Sequence, residues 1–398
     1  MHILMLGAAL SVHCIKIANG LTALGHQVTL ASLPAHTNRE EGYDPRVKIR
    51  LLTGNSYFGQ GKQVAALFRE IGADVAYAHY ATGYGLILRS SRVHPSVLAV
   101  WGSDVYDFPR TSFVHRWFVK RNVAYPDAVF STSHVMAREA QQYVNRPMRI
   151  TPFGVDTQRF IPKEDCGCQE SREGEGAFSP DILEKLPKKD GKIHIGFIKG
   201  LDDKYGLSYL LEAFAQVQKN DWVQCNRINL VLDIYGSGQQ EEEKKALARK
   251  LELKENAVFH GRIPNEAVPA ALQRLQLFCA PSTLDSESFG VSAVEAMACG
   301  VPLIVSDVDG FREVTNDGRY AMMVERRNAD AIAEAILCFL KDPNRARTLA
   351  GEARKHVVQC YAWKDNVQSI ADGLEAVANG SEWMRPEDEW GLDKKQEK

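Results

Sequence analysis

The sequence predicts an α/β protein built from two doubly wound domains, and three observations carry that reading. Short apolar runs alternate with helical stretches along most of the 398 residues, the pattern of parallel strands joined by crossover helices. The alternation begins twice in the same way, with a strand, a turn of small residues and a helix, at His2–Leu24 and again from His194 to Val217. Between the two, Pro162–Lys192 is dominated by Gly, Glu, Lys, Ser and Pro and loses apolar periodicity, as a linker does. The expected division is residues 1–165, a linker at 166–192, a second domain at 193–360, a helix at 361–378 returning to the first domain, and a charged tail at 379–398.

In the first half, His2–Leu6 reads as a buried strand, Gly7-Ala8-Ala9 as its turn, Val12–Leu24 as a helix and Gln27–Ala31 as the next strand. The turn is not G-x-G-x-x-G, so the nicotinamide-binding fingerprint is absent. Further strands are expected at Val47–Leu52, Asp74–His79, Val97–Val100 and Pro126–Ser133, with helices at Gln63–Ile71 and Gly83–Ser91. Open parallel sheets bind ligands at the carboxyl ends of their strands, which singles out His79-Tyr80 and the run Trp101-Gly102-Ser103-Asp104. His13, at the exit of the first turn, reads either as facing the interdomain cleft or as a partly exposed residue at a helix start. Arg110–Tyr125 reads as an amphipathic helix carrying Phe113, Val114, Trp117 and Phe118 beside Arg116, Lys120 and Arg121. Two readings stay open for it: a core-facing helix with a solvated basic side, or a surface for a membrane or a phosphate-bearing acceptor.

In the second half the loop after the first strand carries Lys199 and Lys204, two cations able to neutralise a phosphate group. Strands follow at Asn229–Tyr235, Ala257–His260 and Leu277–Pro281, the second running into Gly261-Arg262-Ile263-Pro264. Asp285–Ser306 then joins a loop with Glu287 to a helix of small residues and a buried strand at Val301–Val305. Gly290 allows a tight turn at the helix start, so the N–H groups of Val291 and its neighbour point outward with the positive end of the helix dipole, a setting for phosphate. Glu295, about a turn inside, can accept from a ribose diol, and Glu287 from hydroxyls of a second sugar. Asp307 and Asp309 invite a metal reading, which the two lysines and the helix dipole make redundant. Helices at Ala329–Leu340 and Arg345–Val358 close the domain, and Trp383 and Trp390 in the tail are candidates for docking.

The string from Glu287 to Pro302, E-x-F-G-x-x-x-x-E-A-x-A-x-G-x-P, resembles the signature of the retaining nucleotide-sugar glycosyltransferases of family 4. The resemblance implies the GT-B fold: two Rossmann-like domains facing a cleft, with a C-terminal helix crossing back to the first. It implies a donor site of Gly7, Ser288, Phe289, Gly290, Val291, Glu295, Gly261 and Arg262. Lys204, Lys199, Glu287 and Asp104 become the catalytic set, and His13, His79, Trp101, Arg116 and Lys120 the acceptor side. Lys204 matches the lysine of the family's G-R-L-x-x-x-K-G, whereas Lys199 stands one position past its arginine. Trp101 stands where the family often has a histidine, and this departure puts a catalytic histidine there in doubt. The implied reaction moves a sugar from a nucleoside diphosphate, uracil before guanine as base, to a glycan or lipid-linked hydroxyl. It needs no cofactor and no metal.

Bulk properties bound the rest. A formal net charge of −2 gives no overall attraction to nucleic acid, and 45% apolar with 25% charged residues is an ordinary globular balance. A long apolar run and a secretory leader are both lacking, so the expectation is a cytoplasmic protein, with the inner membrane face as its site if the basic helix binds lipid. The eight cysteines are scattered, which suits reduced thiols, and Cys166-Gly167-Cys168 is too closely spaced for a zinc pair. The rival functions are a nucleotide-sugar epimerase or hydrolase on the same fold, and a binding module without turnover.

Overall fold

The computed structural model describes residues 1–37, 42–163 and 191–384, so the linker reading, Cys166, Cys168 and Trp390 lie outside the described residues. The chain divides into two compact units, Met1–Phe153 together with the chain from Trp363, and Gly154–Ala362.

In the first unit the elements are β1 His2–Leu6, α1 Val12–Ala23, β2 Gln27–Ser32, β3 Lys48–Leu51, α2 Gly61–Glu70, β4 Val75–His79, α3 Gly83–Ser91 and β5 Ser96–Val100. They continue with α4 Ser103–Tyr106, α5 Phe113–Ala124, β6 Ala128–Ser131, α6 His134–Gln141 and β7 Arg149–Ile150. The seven strands form one parallel sheet in the order β3-β2-β1-β4-β5-β6-β7. The order reverses between β1 and β4, the switch point at which such sheets open a crevice. One sheet face packs on Val64, Leu67, Ile87, Val119 and Val123 of α2, α3 and α5.

The second unit holds β8 Ile193–Ile198, α7 Leu207–Lys219, α8 Asp221–Cys225, β9 Leu230–Tyr235, α9 Glu241–Lys250, β10 Ala257–Gly261 and α10 Val268–Leu272. After these come β11 Leu277–Ala280, α11 Val291–Ala298, β12 Leu303–Ser306, α12 Asp309–Val314, β13 Met322–Val324, α13 Ala329–Lys341 and α14 Pro343–Cys360. Its parallel sheet, β10-β9-β8-β11-β12-β13, repeats the same reversal. The last helix, α15 Trp363–Ala378, belongs to the first unit: Val367, Ile370, Ala371 and Leu374 join the core beside β1, β4 and β5. Gly20 of α1 leaves room for it, since a Cβ there would meet Trp363 and Val367 at 2.7 Å. Trp383 also packs against this core.

Three expectations on local structure change. The strand read as Val301–Val305 starts at Leu303, because Val301 and Pro302 complete the turn out of α11, where Val301 N–H bonds to the Ala296 carbonyl. Asp309 is not a loop residue but the first residue of α12, and the basic helix starts at Phe113 with Ser112 as its N-cap. Of the thiols, Cys14, Cys279 and Cys299 are buried, while Cys225 and Cys360 are exposed.

Candidate functional site

At the carboxyl ends of β8, β11 and β12, residues far apart in sequence converge. Lys199, just past β8, places its Nζ 2.7 Å from Oε2 of Glu287, and both side chains are largely buried. Ser282 Oγ lies 3.5 Å from the same oxygen. The two lysines flank one aromatic ring, Lys199 Nζ at 5.3 Å and Lys204 Nζ at 4.8 Å from the centre of Tyr205. Lys204 sits in a short 3-10 turn whose backbone is tied down twice. Its carbonyl accepts from Thr283 N–H at 2.7 Å, and the preceding Asp203 pairs with Lys244, whose side chain is wholly buried. Lys244, and Gln240 Nε2 at 2.8 Å, donate hydrogen bonds to the Asp203 carboxylate and hold it below the usual range.

The floor of the site is the start of α11. Gly290 is its N-cap in the left-handed region, φ 76°, and a Cβ there would meet the Phe311 ring at 2.5 Å, so only glycine fits. No side chain caps the helix, and among the described residues nothing accepts from the N–H groups of Val291 and Ser292. The buried hydroxyls of Ser286 and Ser292 likewise have no partner. Unpaired donors at a helix start, beside two lysines, make an anion-receptive pocket. The backbone of Glu287–Phe289 is pressed against α12, where a Cβ on Gly310 would collide with the Glu287 carbonyl oxygen. Phe289 is buried, edge-on to Tyr361 at 5.5 Å. Glu295 stands half-buried on α11, where its charge, after burial, helps push the Cys299 thiol up to about 12.

Beside this pocket lies a cavity of about 350 Å³ lined by Ile198, Lys199, Gly200, Tyr235, Arg262 and Val268, among others. Gly261 ends β10 and Arg262 is exposed at its rim. Near it His260 stacks on Tyr235 at 4.3 Å and its Nε2 lies 2.6 Å from Asp233, which also meets His194 Nδ1 at 2.6 Å. Burial works against the Asp233 charge, yet the two histidine hydrogen bonds hold its carboxyl below the usual range.

Asp307 and Asp285 are engaged by one guanidinium. Arg326 Nε donates to Asp307 at 3.0 Å and its Nη1 to Asp285 at 3.0 Å, while Asp309 N–H caps onto Asp285 at 3.1 Å. Asp307 is held below the usual carboxylate range by these bonds, against its burial.

The first unit corrects two expectations. Asp104 is fully buried, and its carboxylate accepts from the N–H groups of Ala81 at 2.7 Å, Gly102 at 2.8 Å and Trp101 at 3.1 Å. It staples two loops together and cannot reach a substrate, so it positions Trp101 and is no catalytic residue. His79 is 1% exposed and lies against Cys14, Nδ1 to Sγ 3.3 Å. Burial, then the charge of His13, depresses its pKa to about 3, which keeps it neutral. Gly7 is packed beneath this pair: a Cβ would sit 2.7 Å from Cys14 Sγ, so close packing by itself requires the glycine. His13 and Trp101 remain accessible as a cluster, with His13 stacked on Phe153 at 3.9 Å and edge-on to Trp101 at 5.6 Å. Arg116 and Lys120 are exposed on α5, Arg116 lying 5.5 Å above the ring of Tyr143.

Tyr205, Ser282 and Arg326 escape a sequence reading. Only Tyr205, an aromatic directly after Lys204, carried a local signal; the others acquire roles through strands brought together by the sheet.

The chain is similar to known proteins over both units. Residues 178–356 match the family model "Glycosyl transferases group 1", and residues 2–133 match "Glycosyl transferase 4-like". A phosphatidyl-myo-inositol mannosyltransferase of Mycobacterium leprae is 32% identical over 204 residues, 50% of this chain and 51% of that protein. A GDP-mannose-dependent alpha-(1-6)-phosphatidylinositol monomannoside mannosyltransferase of Mycolicibacterium smegmatis is 28% identical over 229 residues, 56% of this chain and 55% of that protein. In these alignments the chain spans about half the length of the curated relatives it matches. Anabaena HepE, solved with UDP, superposes with a TM-score of 0.74 at 17% identity, covering 94% of this chain and all of that one. With one family model on each unit and GT-B neighbours for the whole fold, the chain belongs to the group 1, family 4-like glycosyltransferases.

Proposed function

We propose that the protein is a retaining, metal-independent glycosyltransferase. It moves a hexosyl or N-acetylhexosaminyl group from a nucleoside diphosphate, UDP before GDP, to a hydroxyl of a glycan or lipid-linked acceptor in polysaccharide or glycolipid synthesis. The observation that carries this reading is the Lys199–Glu287 pair beside Lys204 and the uncapped start of α11. Breaking the sugar–phosphate bond puts negative charge on the leaving diphosphate. Lys204 and the Val291 and Ser292 N–H groups stand ready to receive it, and Lys199 joins them by leaving Glu287, so positive charge meets the developing negative charge and lowers the barrier. Glu295 takes the ribose, the 350 Å³ cavity takes the base, and Glu287 takes sugar hydroxyls when the diphosphate draws Lys199 away. Attack on the same face, with the leaving phosphate accepting the hydroxyl proton, gives retention without a protein nucleophile. The UDP of HepE and the GDP-mannose of the M. smegmatis relative both support a nucleoside diphosphate donor.

The test is a screen of labelled UDP-glucose, UDP-N-acetylglucosamine and GDP-mannose against phosphatidylinositol and extracted lipids, with the product anomer read by NMR. Transfer with retention is expected. An inverted anomer, or a donor isomerised without acceptor, would overturn the reading. Turnover should persist in excess EDTA, because fixed positive charge substitutes for a divalent ion. Loss in EDTA and recovery with manganese would reject metal independence.

Among the described residues no helix is long and apolar enough to cross a membrane. Of the two readings of α5, its exposed aromatics favour peripheral contact at the inner membrane face: Phe113 is 83% exposed and Trp117 52%. Flotation on anionic liposomes should therefore occur at low salt and vanish near 1 M, where the Debye length is about 3 Å. Failure to float at low salt removes the membrane assignment.

A further inference from the structure

The loops after β3 and β4, the turn before α5 and one side of α5 enclose a cavity of about 340 Å³ on the first unit. Its walls are Tyr57, Phe58, Leu86, Phe108, Val114 and Phe118, almost wholly apolar, and Phe58 at its lip is 71% exposed. An open apolar cavity rimmed by exposed aromatics is costly to leave facing water and marks a binding surface.

Cations lie beside its Phe118 wall. Arg89 of α3 lies over the Phe118 ring at 5.5 Å, so the same ring lines the cavity and carries a cation. Its Nη1 is buried and has no hydrogen-bond acceptor among the described residues. Arg121, stacked on Trp117 at 4.9 Å, is near enough for its charge to add to burial in holding the Arg89 pKa below the ordinary guanidinium value. No carboxylate among the described residues pairs with Arg89, Lys120 or Arg121, whereas the neighbouring Arg110 is paired with Glu139 at 2.9 Å. A buried guanidinium nitrogen left without an acceptor, next to a second unpaired guanidinium, is unfavourable unless an anion completes it.

We propose that this is a binding site for a phosphate-headed hydrocarbon chain: the chain enters the cavity and the phosphate is held by Arg89 and Arg121. A planar guanidinium pair suits phosphate oxygens, and the aromatic lip suits the first carbons of a lipid. The occupant is then the lipid part of a lipid-linked acceptor, so the biological role rests on the acceptor reading above, while the binding itself does not.

The test is calorimetry of the full chain with dodecyl phosphate below its micellar concentration, beside inorganic phosphate and uncharged dodecyl maltoside. Saturable one-to-one binding of dodecyl phosphate is expected, at least tenfold tighter than either control. Arg89→Gln and, separately, Val114→Trp, which fills the cavity mouth from a half-exposed position, should each weaken it at least tenfold. Both variants should bind free nucleoside diphosphate like the wild type, which also shows that they are folded. Equal affinity for dodecyl phosphate and dodecyl maltoside, or wild-type affinity in Arg89→Gln, overturns the phosphate site and leaves an apolar groove of the kind that takes a peptide. Flotation without dodecyl phosphate binding rejects this site but keeps the membrane reading. Dodecyl phosphate binding without transfer to any lipid keeps the site and rejects the lipid-linked acceptor.

Discussion

Glu287→Gln should lower transfer from the intact donor by roughly one to two orders of magnitude, since a hydrogen bond to a charged group is worth about 1.5–3 kcal/mol. The same variant should bind free nucleoside diphosphate at least as well as the wild type. The asymmetry follows from the ion pair. Glu287 is 9% exposed and holds Lys199 at 2.7 Å, so removing its charge frees a cation for the diphosphate while taking an acceptor from the sugar. The variant should also melt lower, because a largely buried ammonium loses its counter-ion until ligand arrives. Glu295→Gln should behave differently and weaken nucleotide and intact donor alike, as its partner is the ribose common to both. Calorimetry on both ligands separates the two variants. If they prove indistinguishable, the division of the site into ribose and sugar ends is wrong.

Lys204→Ala should reduce kcat by about 10²–10³, the scale on which one preorganised group facing developing charge contributes. Its effect on stability should be small. The turn that carries it is held by the Thr283 N–H bond to the Lys204 carbonyl and by the Asp203–Lys244 pair, neither of which uses the Lys204 side chain. Single-turnover rates at saturating donor measure the first quantity and thermal melts the second. Unchanged chemistry in this variant would move the work to Lys199 and the start of α11. A large drop in melting temperature would instead mark Lys204 as a structural residue.

Much of this protein is written in local pattern. His2–Leu6 and Gly83–Ser91 emerge where periodicity places them, because a buried strand or helix face needs a run of apolar side chains at its own period. The turn at Gly290 is equally local, since a left-handed residue at a helix start calls for glycine. What periodicity misses is short or flat: β7 with two residues and β13 with three are too brief to show a period, and they exist because a neighbouring strand offers its edge.

The succession of strands and helices along the chain and the anion-receptive start of α11 are therefore determined by residues close together in the chain. The partnerships are not. Lys199 and Glu287 each appear in sequence as ligands for substrate, yet they meet across 88 positions because β8 and β11 are adjacent in the sheet. Asp104 reads as a carboxylate at a strand end, the usual place for catalysis, but the fold buries it under three N–H donors. Arg89 gave no signal at all, and only the packing of α3 on α5 leaves its nitrogen buried beside Arg121. The physical reason is common to all three cases: secondary structure answers to short-range sterics and to the spacing of apolar residues. The charge state and reach of a polar side chain depend on which distant groups share its low-dielectric surroundings, and only the tertiary fold decides that.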